Sequence, residues 1–300
     1  KEVRSTSLLL NMNSCIRLLA ALLFVDRAHS LRRRENGDRD CSSDKRLYPH
    51  ETLCPANAIT NCHGGHHGFG NQYSIFVGHY VYAREHNLPF CPTPWSSMEH
   101  GLNASEMYIF VGGPFYGPPA AWGTSADWGT RADIPRVKKY IDEIRSMYFK
   151  AHKPDAVFFD AEPKAFAWHW RRGDRGNPTS DQEILHGLAA LKIAFASELK
   201  TMHFFSEGSL EDFGSVSQAC KTSLGIQCRF HLGGSVQLAF HHMVTADVLV
   251  ESQSTFSAIA GALNPGLVLV ELDVCAGKVM AASLEQRLLI WQTASELMFE

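Results

Sequence analysis

Ala165-Phe166-Ala167-Trp168-His169-Trp170-Arg171-Arg172-Gly173-Asp174 reads as a buried, aromatic β-strand that ends in two guanidinium groups, with a helix soon after. Adjacent arginines in such a place are costly to desolvate unless an anion meets them. The guanidinium fork matches phosphate oxygens bidentately, so the stretch points to a phosphate-bearing ligand. Arg172-Gly173-Asp174 is also an adhesion tripeptide, but that use needs an exposed loop, and Trp168 and Trp170 beside it argue for burial.

Outward from this strand the pattern alternates. Strand-like runs at Val157 to Phe159 and Ala165 to Trp170 precede an expected helix over 182–199, a strand over 202–205 and a helix over 210–220. An expected strand over 226–230, helix over 236–245, strand over 247–250, helix over 256–263 and strand over 267–272 follow, with a last helix over 281–299. Strands alternating with helices imply βαβ units, hence an α/β fold with a doubly wound parallel sheet. In such sheets ligands bind at the carboxyl ends of the strands. Those ends carry Arg171-Arg172-Gly173-Asp174, Ser206-Glu207-Gly208 and Glu251-Ser252-Gln253-Ser254-Thr255, so two arginines, several hydroxyls and helix N-termini converge on one edge. Such a set can hold a pyrophosphate.

Upstream, the glycine-rich loop Gly64-Gly65-His66-His67-Gly68-Phe69-Gly70 leads into an expected helix over 71–85. Residues 89–128 are Pro- and Trp-rich with no clean period, and a second helix is expected over 135–150. The 300 residues are 45% hydrophobic and 20% charged with a net charge of −3, enough apolar content for a large core. That balance gives no electrostatic case for nucleic acid as a partner.

The first residues read as a targeting segment. Arg17, the apolar run Leu18 to Val25 and Ala28-His29-Ser30 fit a signal peptide with a small-x-small cleavage site. A retained signal anchor is the alternative, and the membrane is a partner only in that case. Residues 1–30 are thus signal or anchor, 31–50 a charged linker, 51–152 an N-terminal domain and 153–300 a C-terminal domain. Eight cysteines suit a secretory lumen (Golgi or endoplasmic reticulum) or secretion. Cys54/Cys62 and Cys220/Cys228 are close enough to pair; once Cys15 leaves with the signal, an odd number remains and one thiol stays free. Asn103-Ala104-Ser105 is an N-glycosylation sequon.

Other constellations carry two readings each. Ser254-Thr255-Phe256-Ser257 opens a small-residue helix, where hydroxyls cap the helix and can also meet a phosphate. Cys62, His63, His66 and His67 could ligate a transition metal, although a polar loop with one disulfide cysteine is the plainer reading. Asp160-Ala161-Glu162 after an apolar run resembles an acidic pair that holds a divalent cation in one glycosyltransferase architecture. No P-loop pattern is present.

Taken together, Gly68-Phe69-Gly70-Asn71-Gln72, His169 to Asp174, Phe204 to Gly208 and His242 to Ser257 resemble, in order, the motifs of the α1,2/α1,6/protein-O-fucosyltransferase superfamily. The resemblance spans roughly residues 64–272. It implies a GT-B-like fold of two Rossmann-type regions, with an acceptor-side N-terminal domain and a nucleotide-sugar-binding C-terminal domain. The implied enzyme is inverting, needs no cofactor or divalent metal, and moves fucose or another sugar from a GDP-sugar to a glycan or glycoprotein. His169 and Arg171 would contact the GDP, Arg171 neutralising the leaving β-phosphate with Arg172 in support. Asp247, Ser254, Thr255 and Ser257 would lie near the nucleotide, and Gly70 and Asn71 would approach it from the other domain. Asp174, assigned with the arginines to catalysis, is a candidate general base, as are His67 and Glu207. The alternatives are a metal-dependent glycosyltransferase using Asp160/Glu162, or a non-catalytic lectin-like protein with the same fold.

Overall fold

A computed structural model describes residues 55, 58–60, 69–92, 134–151, 158–159, 162–172, 179–252, 254–272 and 278–281. Its centre is a six-stranded sheet. Strands β3 (Phe166–Trp170), β4 (Thr201–Ser206), β5 (Gln227–Leu232), β6 (Val248–Glu251) and β7 (Leu267–Leu272) are parallel, and β8 (Lys278–Ala281) pairs antiparallel with β7. The spatial order β5-β4-β3-β6-β7-β8 reverses direction between β3 and β6. That reversal is a topological switch point, where the connecting chains diverge and leave a crevice.

The period-2 pattern of the strands sorts side chains onto two cores. Phe166, Trp168 and Trp170 of β3 are fully buried with Met202 and Phe204 of β4, under Ile184, Leu188 and Leu191 of α3 (Asp181–Phe195) and Val216 of α4 (Gly214–Ala219). Burying each such side chain contributes about 1.5–3 kcal/mol. The opposite face, with Ala167, Phe205 and Leu249, is covered by α5 (Val236–Thr245) and α6 (Thr255–Leu263).

Two helices from the N-terminal half join that second core. In α2 (Ile134–Lys150), Val137, Ile141, Ile144 and Tyr148 recur at helical spacing and are all buried. Helix α1 (Phe69–Glu85) lies between β1 (Ile59–Thr60) and β2 (Phe90–Cys91), which pair in parallel, so the three form a small βαβ unit. Glu143 ties the helices together, accepting from the Tyr80 hydroxyl at 2.7 Å and from Arg84 Nε at 2.9 Å. Buried Asn264 closes the end of α6: its Nδ2 donates to the carbonyls of Met243 (2.8 Å) and Ala246 (2.9 Å).

Several elements differ from expectation. Phe158 and Phe159 are not in a strand: the Phe158 N–H donates to His242 Nε2 at 3.1 Å, and Glu162 N–H closes a turn on the Phe159 carbonyl. Val157 lies outside the described residues. Helix α3 stops at Phe195, where Ala196 adopts φ 39° without a glycine to announce it. The 210–220 helix is a composite: a 3₁₀ turn (Leu210–Phe213), α4, and a π turn (Cys220–Leu224) closed by Gly225 at φ 60°. Residues 278–281 are the antiparallel β8, so no helix starts at Ala281, and the rest of that expected helix lies outside the described residues.

Cys220 and Cys228 form a disulfide, as their spacing allows. Cys91 is also disulfide-bonded, and no described cysteine is free. Cys54, Cys62, the sequon, the signal segment and the linker lie outside the described residues. No described helix is long and apolar enough to cross a membrane.

Candidate functional site

A cleft of about 710 Å³ opens at the carboxyl edge of the sheet, over the switch point. Five chain segments line it: the end of β3 (His169 to Arg172), the end of β4 (Ser206, Glu207), β5 and its following loop (Phe230 to Ser235), the start of α6 (Ser254 to Phe256) and the start of α1 (Phe69, Gly70). Phe158, Phe205 and residues of α5 complete the wall. The volume suits a small-molecule ligand.

The two arginines have different surroundings. Arg172 is clamped: its guanidinium stacks over Trp170 (4.7 Å) and Phe213 (4.9 Å), and Nη1 donates to the Asp212 carbonyl at 2.6 Å. Asp181 at the start of α3 stands 3.5 Å from the same nitrogen. Arg172 therefore braces the cleft floor with a fixed positive charge. Arg171 also lines the cleft, and its charge reaches His169.

His169 Nδ1 is 2.7 Å from Ser252 Oγ. Burial first and the Arg171 charge second pull its pKa down to about 3, so the ring is neutral at physiological pH. It presents a neutral polar edge where the ends of β3 and β6 meet. The β3 terminus is held by Ser206, whose hydroxyl donates to the Trp170 carbonyl at 2.5 Å.

Helix α6 aims its N-terminus into the cleft. Ser254 is the N-cap, its Oγ accepting from Phe256 N–H at 3.3 Å. With Thr255 it lines the cleft, and the partial positive charge of a helix start favours an anion there. Gly70 lets α1 come this close: a Cβ on it would stand 2.6 Å from Phe256 N and 2.7 Å from Thr255 C. Backbone meets backbone at that point, and the α1 start forms one wall of the cleft.

The structure thus brings His169, Arg171, Arg172, Ser254, Thr255, Glu207 and Gly70 to one cleft. Two expected donor contacts lie elsewhere. Asp247 precedes β6, at the amino edge of the sheet; its Oδ2 accepts from Ala165 N–H at 2.8 Å and tethers the start of β3. Ser257 is fully buried and donates to the carbonyls of Ser252 (3.1 Å) and Ser254 (3.2 Å), holding the loop before α6 rather than facing the cleft. Asp174, Asp160, His63, His66 and His67 lie outside the described residues, as does the side chain of Asn71. Glu162 faces His203 at 3.8 Å. Among the described residues no group of three or more His, Cys, Asp or Glu could hold a metal ion.

Sequence reasoning missed part of the wall. Ser252 sits inside a quoted motif but had no role until β6 placed it against His169. His203, His231 and Phe158 meet only through strand pairing, and His231 lines the cleft. The only trace in the sequence is the alternation of polar rings with apolar residues along two strands.

No family model and no curated protein matches the chain. Among solved structures it is similar to NodZ alpha-1,6-fucosyltransferase soaked with GDP-fucose, at 10% identity and a TM-score of 0.47, over 76% of this chain and 99% of that one. It is similar to POFUT1 in complex with GDP-fucose at 13% identity and a TM-score of 0.45, over 70% and 94% of the two chains. Fucosyltransferase NodZ from Bradyrhizobium aligns at 11% identity with a TM-score of 0.45, over 77% and 100%.

Proposed function

We propose that the protein is a glycosyltransferase that takes a sugar, fucose by motif resemblance, from a GDP-sugar and passes it to a hydroxyl of a glycan or glycoprotein. The observation that carries this reading is the convergence at the switch point. His169 and Arg171 at the end of β3 share one cleft with the N-terminus of α6. A guanidinium and a helix start acting together suit a diphosphate.

The chemistry follows from the residues. When GDP departs, negative charge develops on the β-phosphate, and a preorganised cation stabilises it more in the transition state than in the ground state. Arg171 supplies that cation with no divalent metal required, and Arg172, clamped between rings, fixes the backbone beneath it. His169 stays neutral, so it orients the donor by hydrogen bonding and adds no charge. A single displacement at the anomeric carbon inverts its configuration. A secretory lumen, read from residues 12–30, belongs to the same proposal.

The test is donor binding without metal. GDP in the presence of EDTA is expected to raise the melting temperature by mass action on the native state, and UDP to do less. Arg171→Lys should fold normally yet lose transfer, because a point charge cannot replace the bidentate fork. Equal turnover by that variant would refute the assignment.

A further inference from the structure

His169, Phe205 and His231 form one register row across β3, β4 and β5, on the face that leads to the cleft. Strand spacing puts His231 roughly 10 Å from His169, a span that a hexose attached to a diphosphate bridges. His231 is held as a working ring would be. It stacks on Phe158 (centroids 3.9 Å, planes 16° apart) and on Phe205 (4.9 Å, 20°), and its Nε2 is 2.9 Å from His203 Nδ1. His203 is fully buried, and its Nε2 faces Glu162 Oε1 at 3.8 Å. The two imidazoles are hydrogen-bonded, and the carboxylate stands behind the inner one at charge-pair distance.

We propose that His231 is the base that deprotonates the acceptor hydroxyl, passing a proton on to His203, which the Glu162 carboxylate faces. This rests on the cleft being the GDP-sugar site. One tautomer set makes the chain work. Glu162 attracts a proton onto His203 Nε2, so His203 Nδ1 accepts from His231 Nε2–H. His231 Nδ1 then carries a lone pair, and among the described residues none is hydrogen-bonded to it. In the transfer step the acceptor oxygen bonds to the anomeric carbon while the bond from that carbon to the β-phosphate oxygen breaks. The electron pair leaves with GDP. The hydroxyl proton goes to His231 Nδ1 and the Nε2 proton of His231 to His203 Nδ1, leaving an imidazolium that faces the Glu162 carboxylate at 3.8 Å.

The groups around the relay keep it neutral at rest. Burial, then His203, His242 and Arg229, pull the His231 pKa down to about 4; burial, then Arg229 and His242, do the same to His203. His242 on α5 faces the relay from the far side of Phe158, Nδ1–H donating to the Leu238 carbonyl (2.7 Å) and Nε2 accepting from Phe158 N–H. Arg171, Arg172, His169 and Glu207 line the same cleft. Glu162 is the carboxylate placed to balance a proton travelling down the relay.

The experiment combines tautomer and rate on the whole protein. Long-range nitrogen–proton NMR on ¹⁵N-histidine protein should show His231 as the Nε2–H tautomer. His231→Gln, and His231→Phe to preserve the stack, should lower kcat for GDP-fucose hydrolysis about 100-fold, the usual scale of general-base assistance. GDP should still raise their melting temperatures as in wild type. The wild-type kcat profile should fall on its acid side near pH 4; His203→Gln should lower kcat and move that limb upward, since His203 helps depress His231. An Nδ1–H tautomer, or variants that keep wild-type kcat with an unchanged limb, would overturn the assignment while leaving the donor site standing. A wild-type protein that GDP does not stabilise would overturn the donor reading, and the base with it.

Discussion

Gly70→Ala tests the contact that builds the cleft wall. The new Cβ would stand 2.6, 2.7 and 2.8 Å from Phe256 N, Thr255 C and Phe256 Cα, all backbone atoms with no side chain to swing away. Ordinary contact begins at 3.4 Å, so α1 and α6 must part by roughly 0.8 Å, an overpacking strain of about 1–3 kcal/mol. Alanine in a helix returns at most about 1 kcal/mol. The net loss, up to about 2 kcal/mol, should lower the melting temperature by up to about 4 °C for a chain of this size, at roughly 2 °C per kcal/mol. Because the strain falls on the first turn of α6, the GDP-induced shift should shrink as well. Gly78→Ala, on the same helix with nothing within 4 Å of the new Cβ, is the control; it should stabilise by about 0.5–1 kcal/mol and leave the GDP shift intact. Scanning fluorimetry at several GDP concentrations reads both effects. Equal behaviour of the two variants would refute the close-approach reasoning.

Two further outcomes follow from the site. Arg172→Lys should lose the stack on Trp170 and Phe213 and weaken the bond to the Asp212 carbonyl, costing about 1–2 kcal/mol of stability; unchanged denaturant unfolding would show that the clamp contributes nothing. His169, His203 and His231 are held neutral in the fold, their pKa values lowered to about 3, 4 and 4 from 6.5. The unfolded chain binds more protons between those values, so their contribution is complete above pH 6.5 and is lost as pH falls toward 4. At pH 5.5 each ring should cost at most about 1.4 kcal/mol, less for His203 and His231 after solvent screening. A melting temperature that stays level from pH 7 to 5 would contradict this.

Much of the scaffold was legible because local patterns coincide with tertiary demands. Helix α5 and strand β7 have the expected bounds, 236–245 and 267–272, since their apolar periods match the faces they bury. Where the chain departs from expectation, nonlocal bonds decide. Phe158 gives its N–H to a histidine side chain 84 residues away instead of a neighbouring strand. The antiparallel β8 depends on β7 and has no period of its own. In the site, the residues at strand ends were legible because topology puts every carboxyl end on one edge. Asp247 was misplaced for the same reason: it lies one residue before a strand, so the rule that gathers Arg171 and Ser254 sends it to the far edge. His203 and His231 leave no local signal beyond an alternation of polar rings with apolar residues, because their contact across two strands exists only through strand pairing.

The proposed GDP site places the diphosphate in the switch-point cleft, against Arg171 and the start of α6, with no metal. Calorimetric titration of GDP into wild type and Arg171→Lys, both in EDTA, measures it directly. Wild type should bind saturably, and the variant, melting normally, should bind at least tenfold more weakly. Equal affinity in the two proteins, or wild-type binding that appears only when a divalent cation is restored, would contradict it.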